Sequence, residues 1–159
     1  MRRVMRMVIA AMFVLGIVGT AQAQVIRFTA NLSGNQEAPP ILTGAFGTAT
    51  VTLDLGVQRV TWSIDVFNMP SGTTNAHFHV GGPCVSGPTV IQLTFPSTAS
   101  NDFNLSGQAG PSDVIVRNDQ GIRSWDDFVQ SLMGGQMYLN VHSQVNGGGE
   151  IRGQVLRVP

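Results

Sequence analysis

Apolar and polar residues alternate with a period of two along most of the chain. Ile26, Phe28, Ala30 and Leu32 alternate with Arg27, Thr29 and Asn31. Ala49, Val51, Leu53 and Leu55 alternate with Thr48, Thr50, Thr52 and Asp54, and Val60, Trp62, Ile64 and Val66 with Thr61, Ser63 and Asp65. Successive side chains of a strand point to opposite faces, so each run predicts a strand with one face on a core. Ile91, Leu93 and Phe95 continue the pattern, and Ile151, Gly153 and Val155 close it. Short strands separated by Gly, Pro, Asn and Ser predict an all-β fold, an antiparallel Greek-key-like β-sandwich or barrel. The polar stretch from Ser97 to Gly110 reads as a long loop or a short hairpin.

One segment breaks this rhythm. Trp125, Phe128, Val129 and Leu132 fall at helical spacing behind Ser124, a good N-cap, with Asp126 and Asp127 in the first turn where the helix dipole favours them. Gly134-Gly135 ends the element. The expectation is one short helix from Trp125 to Met133, with its aromatic stripe packed on the core and lidding one end of the sandwich.

The same alternation places all three histidines of the chain. In Ala76-His77-Phe78-His79-Val80 the apolar residues share a face and leave His77 and His79 on the other. In Met137-Tyr138-Leu139-Asn140-Val141-His142 the apolar residues again share a face, opposite Tyr138, Asn140 and His142. All three histidines thus lie away from the core stripes, and a surface cluster is expected. Side chains at i and i+2 of a strand lie about 7 Å apart on one face. Two imidazoles can converge on an ion from there, and a third from a neighbouring strand completes a three-nitrogen site. Imidazole suits copper, zinc and nickel, and three neutral donors with an open position suit copper or catalytic zinc better than calcium or magnesium. The candidate metal ligands are therefore His77, His79 and His142, with copper ahead of zinc. In the competing reading these rings only hydrogen-bond backbone, or the Glu37 carboxylate, and fasten the N-terminal loop.

The first residues set an expected compartment. Arg2, Arg3 and Arg6 precede an apolar run from Met7 to Val18, and Ala21-Gln22-Ala23 follows as a small-x-small cleavage pattern. This is the order of a secretory signal peptide over residues 1–23, with a single domain at 24–159. The product is expected to be secreted or periplasmic. The apolar run is short for a membrane span, which needs about 20 residues, so no span is expected after cleavage. Without the leader the chain has six arginines, no lysine and nine acidic residues, a net charge of −3. Nucleic-acid binding rests on clustered cations and is not expected. The partners left open are a metal ion and an unidentified extracellular or periplasmic component.

Other candidate residues are weighed on their own chemistry. Cys84 is the only cysteine, which excludes an intrachain disulfide. It is expected to be buried and inert, with interchain pairing or soft metal ligation as alternatives. Glu37, in Gln36-Glu37-Ala38-Pro39-Pro40, reads as a loop-fixing acceptor or as a group orienting a ligand histidine. Glu150 and Arg152 are expected to form an exposed ion pair on one strand face. Gly147-Gly148-Gly149 reads as a turn requiring positive φ, and no helix follows it to make a phosphate loop. A G-x-S-x-G elbow and an H-E-x-x-H helix are both missing from the sequence.

Five blocks in order resemble the CHRD domain, the module named after chordin. They are Leu32-Ser33-Gly34-Asn35-Gln36-Glu37-Ala38-Pro39-Pro40, Gly47-Thr48-Ala49-Thr50-Val51, Ala76-His77-Phe78-His79, Asn140-Val141-His142-Ser143 and Gly148-Gly149-Glu150-Ile151-Arg152-Gly153-Gln154. The resemblance implies an exported or extracellular module without a generally assigned biochemical role. Gly81-Gly82-Pro83-Cys84 departs from it, since members more often run directly into Gly-Pro, so Cys84 is local to this chain. A fainter architectural resemblance is to Cu/Zn superoxide dismutase: an H-x-H strand, a late Val-His, and a Gly-rich turn into a last strand. It implies that His77, His79 and His142 match three copper ligands. A fourth, bridging histidine and a zinc set are lacking, and Glu150 stands near the position of the guiding arginine. The function expected is a non-catalytic binding module with a three-histidine copper site; the alternative is a copper oxidoreductase of dismutase type.

Overall fold

The computed structural model describes residues 24–94 and 100–159, so the leader assigned to residues 1–23 lies outside the described residues. Nine strands and one α-helix follow in order. They are β1 (Val25–Ser33), β2 (Phe46–Asp54), β3 (Arg59–Phe67), β4 (Thr73–Val80), β5 (Thr89–Gln92), β6 (Phe103–Ala109), α1 (Trp125–Met133), β7 (Met137–Ser143), β8 (Ile151–Gln154) and β9 (Leu156–Arg157). Every named pairing is antiparallel, and the neighbours run β5-β4-β7-β8-β1-β2-β3-β6, with β9 also on β1. β8 returns by a long connection to lie beside the first strand of the β1-β2-β3 meander, which is the Greek-key relation. The sheet curls into a nearly closed barrel.

Packing follows the alternation. Ile26, Phe28, Ala30 and Leu32 of β1, Ala49, Val51 and Leu53 of β2, and Val60, Trp62, Ile64 and Val66 of β3 are all buried. Ala76, Phe78 and Val80 of β4 and Met137, Leu139 and Val141 of β7 complete the core. The two halves meet through aromatic rings, with Trp62 of β3 edge-on to Phe78 of β4 at 5.7 Å. Such a pair contributes about 0.5–1.5 kcal/mol beyond its buried area.

The helix has the bounds that its spacing predicts. Ser124 Oγ accepts the Asp127 N–H at 3.2 Å, and Trp125, Phe128 and Leu132 are buried. Phe128 lies edge-on to Phe78 at 6.2 Å, which joins the helical stripe to the sheet core.

The stretch read as a loop or hairpin contains β6, which pairs with β3 over seven residues. Its alternation is disguised. Leu105 and Ala109 are buried, but Gly107 takes the inward position between them. A Cβ at Gly107 would lie 2.6 Å from Cζ2 of the Trp62 indole, so the strand loses an apolar marker to admit a large neighbour.

Candidate metal centre

β4 and β7 are neighbours, with His77 opposite Asn140, His79 opposite Tyr138 and Asn75 opposite His142. This register brings the three histidines together from two strands. One nitrogen from each ring lies within 4.8 Å of the others. His77 Nδ1 and His142 Nε2 are 3.0 Å apart. Two nitrogens at about 2.0–2.1 Å from one ion, separated by 90–110°, lie roughly 2.9–3.4 Å apart. That pair already has the spacing of two ligands.

Loop backbone fixes two of the rings. His79 Nδ1–H donates to the Gly87 carbonyl at 2.8 Å, and His142 Nδ1–H donates to the Gly147 carbonyl at 3.0 Å. Each ring is thereby held as the tautomer whose Nε2 carries a lone pair, the usual way a second partner orients a ligating histidine. His79 Nε2 is buried and has no hydrogen-bond partner. Gln92, opposite His77 on β5, hydrogen-bonds the His77 ring and also donates to Asn75 Oδ1. In the metal-free tautomers His77 Nδ1–H donates to His142 Nε2, and an ion would replace that one bond.

The cluster is not on the surface, as the alternation alone implied. His77 and His142 are each only 8 % exposed, and His79 is half-buried. Every residue of β7 is buried on both faces. The loops around residues 81–88 and 144–150 supply the carbonyls and cover the outer side.

Burial also sets the charge. It lowers His77 to about 4, helped by His142 and opposed by the Gln92 hydrogen bond. It lowers His79 to about 4, opposed by the Gly87 carbonyl and helped by His77, His142 and Arg152. His142 is lowered by burial too, against the Gly147 carbonyl. All three rings are therefore neutral near pH 7, the state that binds metal.

Around them the outer face is polar and closed. The Tyr138 ring lies parallel to His79 at 4.9 Å, and the Arg152 guanidinium covers the Tyr138 ring at 3.4 Å. Arg152 donates to the carbonyls of Val85 and Gly82 at 2.9 and 2.7 Å, and Gln154 donates to Gly81 and Gly135. The Gly87 N–H donates to Tyr138 Oη, whose hydroxyl donates back to the Gly87 carbonyl. One loop is thus clamped onto the histidine face from four side chains, His79, Tyr138, Arg152 and Gln154.

The acidic residues take places that spacing did not foretell. Glu37 is buried and accepts from Asn140 Nδ2 at 2.6 Å; it makes no hydrogen bond to a histidine. Burial raises it to about 7, against the Arg152 charge and the Asn140 bond. Glu150 and Arg152, expected as an exposed pair, are both buried and do not pair with each other. Ser143 and Asn146 donate to Glu150 Oε2 at 2.7 and 2.6 Å. Burial pushes Glu150 up, but the bonds from Thr43, Ser143 and Asn146 outweigh it and hold the carboxyl low. In the glycine turn only Gly149 has positive φ, at 141°, and a Cβ there would lie 2.6 Å from Glu37 Oε1. Cys84 is exposed at a φ of 61° and stands outside the histidine cluster, which corrects its expected burial.

Tyr138 and Asn140 were legible as site neighbours because they share the strand face of His142. Gln92 comes from β5 and nothing in its local sequence marks it, whereas Arg152 of β8 is marked by its strand face and its block, which point instead to an exposed ion pair.

Among the described residues no helix is long and apolar enough to cross a membrane. No curated protein and no solved structure matches the chain. The model of the CHRD domain matches residues 28–155, a span that runs from β1 to the residue after β8 and includes all three histidines. The chain belongs to the CHRD domain family.

Proposed function

We propose that this chain is an exported CHRD-domain binding module that holds one transition-metal ion, copper in preference to zinc, at His77, His79 and His142. The observation that carries the reading is His79 Nε2, a buried lone-pair nitrogen without a partner that lies among two other imidazole nitrogens. An unpartnered buried polar atom costs about 1–3 kcal/mol, and a bound ion removes that cost. Two loop carbonyls already hold the tautomers that ligation needs. Imidazole donors suit both copper and zinc, and of the two only copper also offers a monovalent ion, which costs less to bury among neutral ligands. Export is supported by the basic, apolar and small-residue order of the first 23 residues.

Binding is favoured over dismutase-type catalysis by the placement of charge. Steering superoxide needs an exposed cationic approach. Arg152, the cation that acts on His79, is 2 % exposed and holds the carbonyls of Gly82 and Val85.

Elemental analysis of protein recovered from the exported fraction, followed by copper titration, tests the reading. One copper per chain is expected, with binding sharply reduced in His142→Ala and the fold retained. Unchanged binding in the triple alanine variant would end the proposal. Superoxide disproportionation near the diffusional limit by the copper-loaded protein would favour the oxidoreductase.

A further inference from the structure

We infer that the centre is built for cuprous rather than cupric ion, an inference that rests on the three-histidine site and specifies the oxidation state of what it holds. Charge is the first argument. The cluster contains imidazoles alone, with no carboxylate or thiolate among the described residues that reach it. The carboxylates within the covered face are engaged elsewhere, Glu37 by Asn140 and Glu150 by Ser143 and Asn146. Three neutral donors leave the full charge of the ion inside a buried site. The cost of burying charge grows as its square, about four times greater for a dication than for a monocation.

Arg152 adds to this cost. Its buried guanidinium takes part in no ion pair among the described residues, and it lies over Tyr138, whose other neighbour is the His79 ring. A fixed positive charge so placed repels a dication twice as strongly as a monocation. The Glu37 carboxyl, raised by burial to about 7 against this charge, offsets it only in part.

Coordination number is the second argument. Cupric ion favours tetragonal sites with four or more nitrogen and oxygen donors, so three histidines would have to be supplemented by solvent. Two of the three rings are more than nine-tenths buried, and the Gly87 carbonyl and the Tyr138 ring flank the third. Cuprous ion has a filled d shell and is satisfied by two or three donors, the number present. Imidazole is neither hard nor soft enough to choose, so the choice falls to charge and donor number.

The experiment is an anaerobic competition on the intact protein. Cuprous ion is titrated against bathocuproine disulfonate and cupric ion against a cupric chelator of known affinity. Cuprous binding is expected to be tighter by roughly tenfold or more. Tighter or equal binding of cupric ion would overturn this inference while leaving the three-histidine site standing. Binding of neither ion would overturn the site and the inference together. In Arg152→Gln, which keeps hydrogen-bond donors without the charge, the preference should narrow by about tenfold, equivalent to about 59 mV in a one-electron potential. An unchanged ratio in that variant would overturn the role given to Arg152.

Discussion

On β1, β2, β3 and β6 the outward positions form cross-strand rows of short polar residues. Thr29, Thr50, Ser63 and Ser106 make one row, and Arg27, Thr52, Thr61 and Gln108 the next. These side chains are exposed or half-exposed. On β4, β7 and β8 the outward positions hold His77, His79, Tyr138, Asn140, His142 and Arg152, and loops close over them. Both faces come from the same period of two, so alternation decides which side of a strand faces the core and not whether the other side meets water. On the second face protein groups must serve the polar atoms in place of water, and His79 Nε2 is among those left without one. That requirement produces a built site from the same pattern that, on the first face, produces an ordinary solvated surface.

The contrast predicts unequal responses to substitution. Arg152→Ala should cost about 3–4 kcal/mol, because it leaves the Gly82 and Val85 carbonyls without donors and opens a void beside Tyr138. Urea denaturation measures it. A loss below about 1 kcal/mol would place Arg152 with surface residues.

Acid should act next most strongly, and chiefly through the histidine face. His77 and His79 titrate near 4 in the fold against 6.5 for a free ring. The unfolded chain therefore takes up protons first as pH falls from 6.5 toward 4, and stability is lost across that window. On the order of 3 kcal/mol is expected after allowing for partial exposure. A variant with glutamine at both positions should lose this slope, and matched pH dependence of the variant and the wild type from pH 7 to pH 4 would contradict the buried placement.

Glu37 acts in the opposite direction. Its folded pKa near 7 lies above the free value of 4.5, so stability falls as pH rises through that interval. Glu37→Gln keeps an oxygen for Asn140 and should gain roughly 2 kcal/mol relative to wild type between pH 5 and pH 8. Matched pH dependence in the two proteins would remove the buried-acid assignment.

The smallest effect is expected on the solvated face. Thr50→Val keeps a β-branched side chain and should change stability by no more than about 0.5 kcal/mol, with copper binding unaltered. Calorimetry and the copper titration read both. An effect of the size expected for Arg152→Ala would dissolve the distinction between the faces.

Much of this molecule can be read along the chain, and its failures have a common cause. The β1, β2 and β3 alternation, the capped helix and the side of the strand taken by each histidine are local properties, and local spacing reveals them. Whether Glu150 and Arg152 lie in solvent depends on loops arriving from residues 81–88 and 144–150, which no period-2 pattern records. β6 was hidden for a similar reason, because the size of Trp62 requires a glycine at position 107 and only the pairing of β3 with β6 shows it. Cys84 was misplaced by composition, since a lone cysteine is usually buried and this one tips an exposed loop.

The central claim is that three histidines from two neighbouring strands make one ligand set. X-ray absorption on the copper-loaded intact protein tests it most directly. The account predicts one copper per chain with a first shell of three imidazole nitrogens at about 2.0 Å, lost when His77, His79 and His142 are replaced by alanine. A shell of exchangeable oxygen ligands, or an unchanged spectrum in the triple variant, would contradict it.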